Sequence, residues 1–136
     1  MTDTALRPRP AVLAAALALD VLFVLIFAAS GRTTHDRDSP VLGVLDTAWP
    51  FLVGLVAGWL LTAVVAGGLR ARAMSALVPA GLIVWLSTFA VGMILRAVTD
   101  QGTAVSFMAV AAGFLLATLG GWRLIAQVIT RMRRRA

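Results

Sequence analysis

The chain contains no cysteine, no lysine, no glutamate and no tyrosine. Without cysteine there are no disulfides and no thiolate metal sites, although the redox compartment stays open. Charge is scarce as well. Only 13% of the 136 residues are charged while 60% are hydrophobic, and the mean hydropathy is +0.94. A soluble domain of this size needs more polar surface than that. No nucleophile–base pair or metal-ligand constellation is visible, so an enzyme is not expected. The one histidine, His35, stands beside Asp36 and Asp38. Its spacing matches no established ligand pattern, so it reads as part of a solvated loop. Two-histidine haem ligation is impossible within one chain, and no cofactor or metal is expected.

Long apolar runs are what the chain does have. Four of them are near the ~20 residues that cross a bilayer as a helix. The first runs from about Ala11 to Ala29, preceded by Pro8 and Pro10 and followed by Ser30 and Gly31. Gly31 suits a helix end that turns left-handed. The second starts at Ser39-Pro40, a capping residue with proline at the first helical position, and stops at Gly67-Gly68. The third covers about Ala76 to Ala97 with Ser75 as candidate cap, and the fourth about Ala104 to Ile129 with Thr103 as candidate cap. The expected architecture is all-α: four transmembrane helices forming two hairpins. Residues 1–10 form an N-terminal tail, 11–129 the membrane domain, and 130–136 a basic tail. A cleavable leader ending at Ala28-Ala29-Ser30 is the competing reading. The apolar region exceeds the ~7–15 residues of such leaders and contains an acid, which favours a retained helix.

All twelve basic residues are arginine, and the net charge is +6. They flank the apolar runs, where topology signals and lipid headgroup contacts belong, so no nucleic-acid partner is expected. Arg7, Arg9, Arg70, Arg72, Arg131, Arg133, Arg134 and Arg135 share one side, with Arg123 near the end of the fourth run. Only Arg32, Arg37 and Arg96 lie on the other. The positive-inside rule puts both termini in the cytoplasm of a bacterial inner (plasma) membrane, with the lipid bilayer itself as first partner.

Asp20 lies inside the first run, about 14 Å above its start and near the midplane. A charge at that depth costs at least ~2.5 kcal/mol, so the residue is functional by default. Its own helical neighbours are apolar. Ser87 and Thr88 reach a similar depth on the third helix and are the candidate partners. The structural alternative is a neutral acid hydrogen-bonded across a helix interface. The functional one is a proton or cation site.

A second polar cluster forms at the other face. Asp46 and Arg96 are expected to pair, because each would otherwise bury a lone charge. Pro50 removes the helical partner of the Asp46 carbonyl, unless Asp46 instead caps a shorter helix starting at Thr47. Arg32, His35, Asp100, Gln101, Thr103 and Ser106 can join the cluster. It reads either as an interfacial belt anchored by Trp49 or as a vestibule for a small polar solute.

The halves resemble each other weakly. Arg32-x-x-x-Asp36 matches Arg96-x-x-x-Asp100, a spacing that also suits a simple i,i+4 ion pair. Phe51 with Gly58-Trp59 matches Phe114 with Gly121-Trp122. A parallel internal repeat would explain this, and so would chance in a low-diversity apolar sequence. Small residues form ridges for helix packing: Gly54 and Gly58 on the second helix, and Ala109, Gly113, Ala117 and Gly121 on the fourth.

Several of these segments look familiar together. They are the Asp20 run, Phe27-Ala-Ala-Ser-Gly-Arg32 with His35, Thr47-Ala-Trp-Pro-Phe51 with Gly58-Trp59, Gly92-Met-Ile-Leu-Arg96, and Gln101-Gly-Thr-Ala-x-Ser-Phe107. The chain thereby resembles a bacterial and archaeal membrane family known as domain of unknown function 3054. The resemblance implies a membrane protein and supplies no mechanism. Two functions remain in play. One is a small-solute or ion transporter or channel, acting as a homo-oligomer because four short helices enclose little space. The other is a non-catalytic accessory subunit of a larger membrane partner.

Overall fold

The computed structural model describes residues 9–31 and 39–136, and these contain helices and turns without any strand. In chain order the helices are α1 (Pro10–Ser30), α2 (Pro40–Ala66), the single turn α3 (Ala71–Met74), α4 (Leu82–Val98), α5 (Val105–Leu115) and α6 (Gly121–Arg135). A wide turn, Leu77–Gly81, leads into α4, and a π-helical turn, Leu116–Gly120, joins α5 to α6. Four helices are therefore long and apolar enough to cross a membrane: Pro10–Ser30, Pro40–Ala66, Leu77–Val98 and Val105–Arg135.

Local chemistry explains the helix ends. Proline opens α1 and α2, where its missing N–H costs nothing and its φ is already helical. α2 stops at Gly67, whose φ of 70° only glycine adopts cheaply. There the N–H of Gly68 donates to the carbonyl of Ala63 at 2.7 Å and that of Gly67 to Val64 at 3.2 Å, which satisfies the last carbonyls. Gly31 behaves differently from the expectation. It is right-handed (φ −81°) and simply adds one more N–H, to Phe27 at 3.0 Å. The three candidate capping side chains also go unused. Ser39 precedes Pro40 without a side-chain bond, Ser75 closes α3, and Ala104 rather than Thr103 flanks α5.

The fourth long helix continues to Arg135, six residues past the expected Ile129. At about 1.5 Å per residue its 31 residues reach about 46 Å, against ~30 Å of hydrocarbon. Its last turns carry Arg131, Arg133, Arg134 and Arg135.

α2 and α4 pack with their backbones almost in touch. A Cβ on Gly54 would lie 2.8 Å from the carbonyl oxygens of Ser87 and Thr88, and one on Gly58 would lie 2.9 Å from the Cα of Val84. Glycine is what permits this approach. The other small-residue ridge does not pack inside the chain. Ala109, Gly113 and Ala117 are exposed, and a Cβ on Gly113 or Gly121 would meet nothing within 4 Å. Between the helices, Phe27 stands at the centre of an aromatic cluster. Its ring lies 5.1 Å from Phe51, edge-on, 5.8 Å from Phe107 and 5.7 Å from Phe114. Gly92 presses on the Phe51 ring from α4.

Candidate functional site

Asp20 lies ten residues into α1, about 15 Å from its start. It is fully buried. Its partner is Arg123, also fully buried, which reaches across from α6. The guanidinium grips the carboxylate with two parallel bonds, Nη1 to Oδ1 at 2.8 Å and Nη2 to Oδ2 at 2.7 Å. Two indoles complete the shell. Trp59 of α2 donates to Oδ2 at 2.8 Å, and Trp122 of α6 donates to Oδ1 at 2.8 Å. Four N–H donors therefore converge on two oxygens. None of these neighbours can accept a proton from the acid, so the shell is built around a carboxylate.

Arg123 is held just as closely. Its Nε donates to the Met74 carbonyl at 3.1 Å and its Nη1 to the Leu119 carbonyl at 2.9 Å, while its charge stacks 4.5 Å from the Trp122 ring. Both carbonyls belong to backbone that departs from regular helix. Met74 ends the short α3 just before the wide turn, where Val78 is extended (φ −124°, ψ 128°), and Leu119 lies in the π-helical turn. Irregular backbone of this kind can present carbonyls to a side chain. The pair thereby ties α1, α2, the α3 connector and α6 together.

The site differs from the expected one in its partners. Ser87 and Thr88 do not bond to Asp20. Ser87 is half-buried against Gly58, and Thr88 is fully buried behind Gly54. Among the described residues Thr88 Oγ1 is the buried side-chain oxygen without a hydrogen bond. Arg123, which by position reads as one more topology arginine, is the counter-ion. Two features of the sequence point to it: a lone buried acid needs a cation, and Arg123 stands eight residues before Arg131, apart from the basic tail. The tryptophans and phenylalanines that match between the two halves also meet around α1: Trp59 and Trp122 donate to opposite oxygens of Asp20, and Phe51 and Phe114 flank Phe27, about two turns further along the helix.

At the opposite end, Arg96 is largely buried near the close of α4. It makes no direct ion pair with Asp46, which is exposed and acts on Arg96 through charge alone. Nor does it pair with Asp100. That residue is exposed, has a positive φ of 55° and closes the turn after α4. Arg96 instead donates to neutral oxygens: Nε to Gly102 at 3.1 Å, Nη1 to Gln101 Oε1 at 3.2 Å and Nη2 to the Gln101 carbonyl at 2.7 Å. Its Cζ stands 4.2 Å over the Phe107 ring. The carbonyl freed by Pro50 is used, since Gln101 Nε2 donates to Asp46 O at 3.3 Å. α2 is continuous from Pro40, so Asp46 does not cap a shorter helix. Thr103 and Ser106 are exposed and bond to none of this group. Arg32, His35, Asp36 and Asp38 lie outside the described residues.

Four long apolar helices around a buried charge pair define an all-helical membrane protein. The chain belongs to DUF3054, described as a protein family of unknown function, whose family model matches residues 17–126. That stretch holds Asp20, Trp59, Trp122 and Arg123. No curated protein and no solved structure matches the chain.

Proposed function

We propose that the protein is a carrier for a small solute or ion in a bacterial plasma membrane, with both termini in the cytoplasm, and that it works as an oligomer with the Asp20–Arg123 pair as its centre. The observation that carries this reading is the fully buried ion pair seated against two interruptions of the helices. Stability alone is a poor reason for such a pair. Apolar side chains of similar volume often hold a core together as well or better. Ionisable groups at this depth more often mark a path, and carriers place broken helices beside their binding sites. Arg123 already occupies the edge where a cation would bind, so the proton is the natural coupling ion for Asp20.

Proteoliposomes test the reading. Wild-type protein is expected to support pH-dependent uptake of at least one solute from a panel of ions and small metabolites. Asp20→Asn and Arg123→Gln are expected to abolish it, with thermal unfolding confirming that each variant still folds. Unchanged flux in folded variants removes the pair from any transport step.

The outward ridge of Ala109, Gly113 and Ala117 favours a second reading, an accessory subunit that packs against a larger membrane protein. It predicts a partner that co-purifies in mild detergent and is lost when Gly113 is replaced by leucine.

A further inference from the structure

We propose that Arg123, Trp59 and Trp122 form a carboxylate-binding cage whose built-in occupant is Asp20, and that its transported ligand is a small carboxylate or similarly shaped oxyanion entering together with one proton. The inference rests on the carrier reading and names its substrate class.

The geometry is that of a receptor. Two parallel guanidinium N–H groups and two indole N–H groups meet on one planar carboxylate at 2.7–2.8 Å. Paired guanidinium donors fit a two-oxygen acceptor, and a spherical ion uses them less well. The cage is also preformed. The Met74 and Leu119 carbonyls hold the guanidinium from behind, independently of Asp20. A second carboxylate placed where that of Asp20 lies would meet the same four donors.

Charge balance dictates the proton. With Asp20 ionised and Arg123 charged, the site is neutral. An anion that displaces Asp20 leaves two negative charges against one positive, at a depth where a net charge is expensive. A proton taken up on an Asp20 oxygen restores neutrality, and no other covalent bond changes. Among the described residues no other charged side chain is bonded to the pair. α2 carries only Asp46 and the Leu77–Val98 helix only Arg96, both at the opposite end, and Arg70 and Arg72 of the connector are exposed. Release on the other side returns the proton and restores the pair, so the cycle moves anion and proton together with no net charge.

The test uses full-length protein with Trp49 and Trp85 replaced by phenylalanine, which leaves Trp59 and Trp122 as the emitting indoles. Sodium formate and sodium pyruvate are titrated in detergent at several pH values. Sodium chloride at equal ionic strength and neutral acetamide serve as controls. The proposal expects a saturable change in emission with the carboxylates, tightening by up to about tenfold per pH unit as pH falls, because one proton enters with the ligand, and absent from both controls. In a parallel arm, Asp20→Gly should unfold at a lower temperature and recover with formate but not with acetamide or chloride. No saturable response in the Asp20-containing protein overturns the proposal, whatever the glycine variant does, because Asp20 then never yields its place. Equal responses to acetamide or chloride overturn it too. In proteoliposomes, pyruvate-driven proton uptake should be unaffected by membrane potential. Binding without flux retains the cage and overturns the carrier reading, whereas flux without binding retains the carrier and overturns the cage.

Discussion

Arg123 and Arg96 are both buried near helix ends and both stacked on an aromatic ring, but they are neutralised in opposite ways. Arg123 meets a carboxylate, two carbonyls and no solvent. Arg96 meets three neutral oxygens from the adjoining turn, with the charge of Asp46 nearby but not in contact. The difference follows depth and sequence distance. The partner of Arg123 is 103 residues away and joins separate helices, so losing either member strands a charge in a dry interior. The partners of Arg96 are five and six residues away and fold with it as one local unit near the rim. One site organises the bundle, and the other finishes a turn.

The contrast can be broken experimentally, most severely at the inner pair. Asp20→Asn or Arg123→Gln should each cost about 3–5 kcal/mol, because the remaining group is left buried without its counter-charge. Unfolding in detergent measures this, and the double variant should lose clearly less than the sum of the two. Arg-to-Lys exchange sharpens the comparison. Arg123→Lys loses the two-pronged grip on Asp20 and should cost about 1.5–3 kcal/mol, the range for hydrogen bonds to charged groups. Arg96→Lys keeps its charge near the carbonyls of Gln101 and Gly102 and should shift the unfolding temperature much less. A result in which both exchanges cost the same would erase the distinction. Gln101→Ala removes one acceptor of Arg96 and the donor to the Asp46 carbonyl, for about 1 kcal/mol. The smallest change is Thr88→Val. Its hydroxyl has no partner and gains nothing from staying, so the variant should be neutral or up to about 1 kcal/mol more stable. A marked loss there would mean that Thr88 Oγ1 has a partner under working conditions.

Much of this architecture is legible in a linear reading. Apolar run length marks the four long helices, proline and glycine mark where α2 begins and ends, and Pro50 marks a carbonyl needing another donor. Gly54 and Gly58 read correctly as a close-approach surface because their spacing puts them on one helix face. The outward ridge on the fourth helix has the same spacing, and nothing in the spacing says which face meets a neighbour. Asp20 stands out as an acid where acids are costly, but its partner does not. Depth counting favours Ser87 and Thr88, because it locates residues along the membrane normal and not around it. Arg123 is masked by its company, since an arginine near a basic tail looks like one more topology signal.

The sequence by itself determined that the chain is helical, suited to lipid, and burdened with one acid where apolar surroundings penalise charge. Those properties depend on composition and on neighbours a few residues apart. Only the tertiary structure decided which side chains meet that acid. A rotation of α6 by half a turn would leave every apolar run intact and still separate Arg123 from Asp20. Helix rotation is set by packing against the other helices, and no local pattern encodes it.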